Sequence, residues 1–255
     1  IIGPWVHGGA PSNISGEFDF GTRSSSLAAD LQGMTLRYYD YWLKGEDNGV
    51  PDDSPIRIFV MGDNIWRDEY EWPLARAVPT KYYLRSGGRA NTLNGDGSLS
   101  YDAPQQDPPD VFVYNPIDPV PTCGGALCCD TAFAASGVYD QRPNEARSDV
   151  LIYSTPPLER DIEVTGPVSL RLYASSSAPD TDFTAKLVDV EPCGYARNLT
   201  DGIIRARYRK PRQPANLIET NRVYEYDIDL WSTSNVFKAG HRIRLEVSSS
   251  NFPRF

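Results

Sequence analysis

The chain has 255 residues, 40% of them hydrophobic and 23% charged, and its 34 acidic and 25 basic side chains give a formal net charge of −9 at pH 7. That balance excludes nucleic acid as a partner, because phosphate binding needs clustered Lys and Arg. No apolar run approaches the roughly 20 residues of a membrane-spanning helix, so no membrane partner is expected either. What remains is a folded chain with a real core, as one large β domain or a small piece beside a domain of ordinary size.

The first element is a glycine-rich loop, Gly3-Pro4-Trp5-Val6-His7-Gly8-Gly9. After a polar stretch, Leu27, Leu31, Met34, Tyr38, Tyr41 and Trp42 recur at three- and four-residue steps, which predicts a helix with N-cap candidates at Ser24 to Ser26 and a stop at Gly45. A turn-rich link then leads to Ile56-Arg57-Ile58-Phe59-Val60-Met61, whose length and composition suit a buried strand. Loop, helix and strand together read as the closing units of an α/β sheet.

Beyond about Pro79 the helical period disappears and strict alternation takes over, the mark of a second, all-β domain. Val168, Leu170, Leu172 and Ala174 alternate with polar neighbours or tyrosine. So do Tyr224, Tyr226, Ile228 and Leu230, and then Ile243, Leu245 and Val247 with Arg242, Arg244 and Glu246 between them. One face of each strand is expected to be buried and the other wet. Further strands are predicted at 81–84, 111–114, 150–153, 183–190 and 203–208. Eight or so strands with irregular connections suit a two-sheet sandwich of jelly-roll type better than an up-and-down barrel.

Only His7 and His241 are available as imidazole bases. His241 lies in a turn feeding a strand, where a structural role is the natural reading. The loop of His7 can hold an imidazole at a sheet edge with its nitrogens reachable, as general-base work requires. A histidine followed by one helix is also where the last member of a nucleophile–acid–histidine triad falls in α/β-hydrolases. There is no Gly-x-Ser-x-Gly elbow, so the nucleophile and acid are expected before Ile1. The chain opens without Met and closes straight after a strand pattern, and both ends read as cuts through a longer protein.

The remaining features favour structure. Cys123, Cys128, Cys129 and Cys193 show no Cys-x-x-Cys spacing, so no metal site is expected. Free thiols are the first reading, and a disulfide from Cys123 to Cys128 or Cys129 is the alternative. Asp180 and Asp182 read as a structural turn in preference to calcium ligands. The arginines around Arg205 and Arg207 read as a solvated strand face, and the sequons at Asn13 and Asn198 carry no weight. Trp66, Trp72 and Trp231 are read first as core or interface residues and second as a sugar platform.

Gly3-Pro4-Trp5-Val6-His7 resembles the histidine loop of the cocaine esterase / X-Pro dipeptidyl-peptidase family. The same family is resembled in order by Phe59-Val60-Met61-Gly62 with Trp66-Arg67-Asp68, by Asp140-Gln141-Arg142-Pro143, by the run from Ser175 to Leu187, and by the run from Ser234 to Pro253. The resemblance implies a mostly β chain. Residues 1–76 would be the C-terminal portion of an α/β-hydrolase domain and 77–255 a jelly-roll β-sandwich truncated at its end. It implies that His7 is the catalytic base of a serine esterase or X-Pro peptidase acting on an ester, amide or peptide substrate, without a cofactor. It also implies that Leu127, Cys128 and Cys129 occupy the loop that shapes the acyl pocket, with plain loop packing as the alternative. The expected partners are the substrate, the N-terminal part of the same chain and a second copy, and the 255 residues alone are expected to be inactive. The competing reading is a non-catalytic jelly-roll module that binds carbohydrate or protein.

Overall fold

The computed structural model describes residues 1–128, 133–210 and 213–255. In chain order the elements are β1 (Ile14–Ser15), β2 (Phe18–Asp19), α1 (Leu31–Lys44), β3 (Ile56–Val60), β4 (Ile65–Glu69), β5 (Tyr83–Arg85), β6 (Ser98–Ser100), α2 (Arg142–Glu145), β7 (Leu151–Ser154), β8 (Ile162–Ala174), β9 (Asp182–Val190), β10 (Ala196–Arg205), β11 (Tyr224–Phe237) and β12 (Arg242–Ser248). The chain is mostly β, as the alternation predicts.

A six-stranded sheet runs β10-β9-β12-β7-β6-β5, antiparallel except between β6 and β7, and the long antiparallel ribbon β8–β11 faces it. Leu170, Tyr226, Ile228 and Leu230 of the ribbon meet Phe183, Ala185, Leu187, Ile243, Leu245 and Val247 of the sheet in the main core. Tyr226 and Phe183 pack with ring centroids 4.9 Å apart. The far side of the ribbon is wet, with Arg171, Tyr173, Glu225 and Asp227 exposed. There Arg171 reaches Asp227 at 2.9 Å. On this ribbon the period-2 reading of one buried and one wet face is what the structure has.

On β12 that reading fails, because Arg244 and Glu246 are 6% and 5% exposed. The chain around α2 lies over the second face of the sheet and brings polar groups to it. Arg244 donates to Glu145 at 2.6 Å. Lys186 donates to Gln141 at 2.6 Å and lies 3.4 Å from Glu246. Gln141 in turn donates to the carbonyl of Cys123, and Asn144 to that of Pro121, both at 2.8 Å. A second buried knot sits at the end of β9, where the fully buried Asp189 accepts from Arg197 at 2.5 Å, from Asn235 at 3.3 Å and pairs with Nδ1 of His241 at 2.8 Å. Buried charges survive only when paired in this way.

Other boundaries differ from the sequence reading for local reasons. The helix starts at Leu31 because Asp30, not a serine, caps it, its carboxylate accepting from the amide of Gly33; Gly45 ends it in the left-handed conformation. No residue of α1 is buried. Residues 111–114 are not a strand, since Pro108 and Pro109 precede them and Asp110 is held instead by Ser86, Ala90 and Tyr153. Beyond Arg205 the backbone tightens into the turn Ala206–Tyr208. The arginines there are not simply solvated, for Arg205 pairs with Asp182 at 2.7 Å and Arg207 with Asp180 at 2.5 Å.

Asp189→Ala would leave Arg197 buried without its carboxylate, and a loss of about 3–5 kcal/mol is expected in urea unfolding at neutral pH. Glu246 provides a pH test. Burial, reinforced by Glu145 and opposed by Lys186 and Arg244, raises its carboxyl from 4.5 to about 7. An acid with a folded pKa above its unfolded one holds more protons when folded, so its contribution to stability falls as pH rises between those two values. Relative to Glu246→Gln, the parent is expected to lose stability between pH 4.5 and about pH 7, read from denaturant midpoints.

Candidate active site

The chain enters beside β3: the amide of Ile2 donates to Arg57 at 2.8 Å and that of Phe59 to Ile2 at 2.9 Å, a parallel pairing. It then folds back at Gly3, where an added Cβ would lie 2.6 Å from the ring of Trp5. A turn closed by the Gly9 amide on the carbonyl of Val6, 2.9 Å, carries His7, whose side chain is exposed to solvent. Trp5 Nε1 donates to the carbonyl of Ser24 and Trp66 Nε1 to that of Arg23, each at 2.7 Å. The two indoles lie 5.7 Å apart. The amide of Ser26 returns to the carbonyl of Ala10 at 2.7 Å.

From Trp66 an aromatic stack passes through Phe59 (5.2 Å), Phe20 (6.2 Å) and Phe18 (4.8 Å) to the guanidinium of Arg197, 4.6 Å over the Phe18 ring. The histidine loop is thereby tied to the buried knot of the sandwich. Met61 and Val236 exchange backbone hydrogen bonds with the other strand's end, Val236 donating to Met61 at 2.7 Å and Met61 to Ser234 at 3.0 Å, so the β3–β4 hairpin continues directly onto β11.

The loop of Leu127 is reached by a second route. The Glu17 amide donates to Val138 at 2.8 Å, Val138 donates to Ser15 at 3.2 Å, and Gly137 exchanges amide bonds with Gly125 at 2.7 and 2.9 Å. Gly16, at φ 65°, touches Val138 so closely that a Cβ has no room. Arg254 holds this loop from the other side, donating to the carbonyl of Ala126 and pairing with Asp201 at 2.9 Å. Burial raises the Asp201 carboxyl, and Arg254 opposes that shift.

Leu127 is half-buried and Cys128 exposed, while Cys129 lies outside the described residues. Cys128 is disulfide-bonded, which corrects the free-thiol expectation there; Cys123 and Cys193 are free, so the alternative bridge from Cys123 is not formed. Residue spacing does not define the Cβ geometry on which a disulfide depends. The imidazole paired with a carboxylate is that of His241 on Asp189. A small pocket lined by Thr184, Lys186, Glu246, Ser248 and Asn251 lies in the polar layer and includes neither His7 nor Leu127.

Asp180 and Asp182 are committed to arginines, and among the described residues no group of three His, Cys, Asp or Glu converges as a metal site would require. Trp66 and Trp72 pack against Phe59 and against Ile58, Val60 and Val236, whereas Trp231 is exposed. Asn198 is buried and hydrogen-bonded to Gly137 and Tyr139. No described helix is long and apolar enough to cross a membrane. The sequence reading missed the paired indoles and the Asp189 knot. Trp5 stands next to His7's neighbour in the chain, but its acceptor lies 19 residues away and no local pattern marks it.

These elements define a β-sandwich joined along one end to a histidine-bearing loop and a short α/β segment. A family model described as the X-Pro dipeptidyl-peptidase C-terminal non-catalytic domain matches residues 48–255, and the chain belongs to that family. It is 45% identical over 258 residues to cocaine esterase of Rhodococcus sp. (strain MB1 Bresler), a match covering 100% of this chain and 44% of that protein. Among solved structures, an aminopeptidase from a marine sediment Thaumarchaeota archaeon superposes with TM-score 0.80 at 30% identity over 99% of this chain and 42% of that one. An α-amino acid ester hydrolase superposes with TM-score 0.75 at 28% identity over 90% and 39%. Each relative carries a hydrolase name, and the chain spans less than half the length of each.

Removing the guanidinium in Arg254→Ala is expected to speed amide hydrogen exchange at residues 124–127, with exchange in β9 unchanged; equal exchange in parent and variant would count against the Arg254 anchor.

Proposed function

We propose that this chain is part of a serine hydrolase that cleaves ester or amide bonds, acyl or X-Pro peptide, through an acyl-enzyme, with His7 as general base. The serine and the orienting acid belong to a hydrolase domain outside these 255 residues. Residues 1–76 complete that domain and 77–255 form the jelly roll, with the β3–β4 hairpin at the seam. In this reading His7 takes the serine proton as the hydroxyl attacks the carbonyl, protonates the leaving group, and then activates the water that hydrolyses the acyl-enzyme. Leu127, with Cys128 and Cys129, would border the acyl pocket. The chemistry needs no cofactor, and a second copy of the chain remains a candidate partner.

The observation that carries this reading is an exposed imidazole on a loop held at both ends. The exposed apolar side chains of α1, with Leu36, Trp42 and Leu43 each at least 60% accessible, supply area for a further domain to cover. The relatives, all longer than this chain, are consistent with it. A non-catalytic binding module is favoured by the family's own description, but that match begins at residue 48 and leaves His7 outside it.

The test is the complete reading frame assayed on short-chain nitrophenyl esters and X-Pro nitroanilides beside its His7→Ala form. Turnover is expected to fall by about 10³-fold or more on substitution, and the preferred substrate separates esterase from peptidase. Parental turnover in the variant would transfer support to the binding-module reading. The isolated 255 residues are expected to be inert on both substrates.

A further inference from the structure

We propose that Trp5 is a positioning residue for His7, acting with Trp66 as a two-indole clamp on the turn at Arg23–Ser26. The proposal rests on the general-base reading of His7 for its consequence in turnover, and on the geometry alone for its consequence in loop order.

A general base must be held close to its productive geometry, since small displacements of a catalytic group cost large factors in rate. The loop that carries His7 is poorly suited to that by its own composition. Gly3, Gly8 and Gly9 surround it, Gly8 sits at φ 74°, and glycine is the residue with the most conformational freedom to lose. Its internal hydrogen bond is the single turn contact from Gly9 to Val6. Order therefore has to come from outside the loop.

The structure supplies it at two points on one support. At the N-terminal end Trp5 Nε1 donates to Ser24; at the C-terminal end Ala10 accepts from the amide of Ser26. The support is itself fixed, because Ser24 is fully buried and both its amide and its hydroxyl donate to the carbonyl of Gly21, at 3.0 and 2.8 Å. The neighbouring carbonyl of Arg23 is taken by Trp66, whose ring rests on Trp5 on one side and on Phe59 of β3 on the other. Two consecutive carbonyls of the turn are thus satisfied by two indoles in tilted contact. Only an indole does both jobs: phenylalanine keeps the ring contact and loses the donor, and tyrosine places its hydroxyl elsewhere. Gly3 is part of the same device, since any side chain there meets the Trp5 ring at 2.6 Å.

In the complete protein, Trp5→Phe is expected to lower kcat about tenfold while KM stays within about twofold, as removal of a group that orients but does not bind substrate should. Amide hydrogen exchange is expected to quicken at residues 6–10 and to stay unchanged in β7. Gly3→Ala, which keeps the indole but displaces it, is expected to give the same signature. Unchanged exchange and unchanged kcat in both variants overturn the proposal. So does exchange that quickens throughout the chain, β7 included, because Trp5 would then be a general determinant of the fold. If His7→Ala keeps parental turnover the general-base reading fails by itself, and exchange at residues 6–10 alone decides whether the clamp exists.

Discussion

A buried layer of paired charges, spread over the outer face of the six-stranded sheet, is the constraint on which the rest of the molecule depends. Most sandwiches leave that face to solvent. Here Lys186, Gln141, Glu145, Arg244 and Glu246 are all buried on it, so each must find a partner inside the protein or destabilise it. Gln141 and Glu145 come from a single stretch around α2, which has little regular structure of its own, while Glu246 lies beside Lys186 of the sheet itself. The layer thereby converts a long polar connection into a fixed part of the fold, and it carries the cost that any one partner removed leaves another buried charge unmatched.

The same logic ties the two ends of the chain together. Arg197 is bound on one side by Asp189, which also holds His241 and Asn235, and on the other it lies over Phe18. From Phe18 the aromatic stack leads outward to Trp66 and Trp5. The histidine loop and the sandwich are therefore not independent bodies joined by a tether; they share side chains, and β3 runs on into β11 through backbone hydrogen bonds. The histidine loop, with glycine at three of its seven positions from Gly3 to Gly9, gains its order from this seam, because its own backbone offers little.

In the proposed reading, the matched domain and the catalytic side chain lie on different parts of the chain. The matched domain, residues 48–255, is described as non-catalytic, and what it contributes in the proposed reading is support and a pocket wall. The side chain that would take part in bond cleavage precedes it. The loop with Leu127 and Cys128 is reached through β1 and the segment at Gly137–Val138, and Arg254 and Asp201 hold it from the far side, so two distant parts of the sequence meet where substrate specificity would be set.

The sequence by itself determined the elements whose signal is local: the alternation of β8 and β11, the apolar run of β3, the stop of α1 at Gly45, and the motif around His7. Period and composition act over a few residues, and these elements read out that scale. Only the tertiary structure decided that Arg244 and Glu246 are buried, because the alternation that marks β12 is the same whether its polar face meets water or another segment of chain. It likewise decided that 111–114 forms no strand, that His241 rather than His7 holds a carboxylate, and that Trp5 and Trp66 share a turn 19 and 43 residues from them. Each of those outcomes turns on which residues far apart in the chain become neighbours, and no local pattern contains that information.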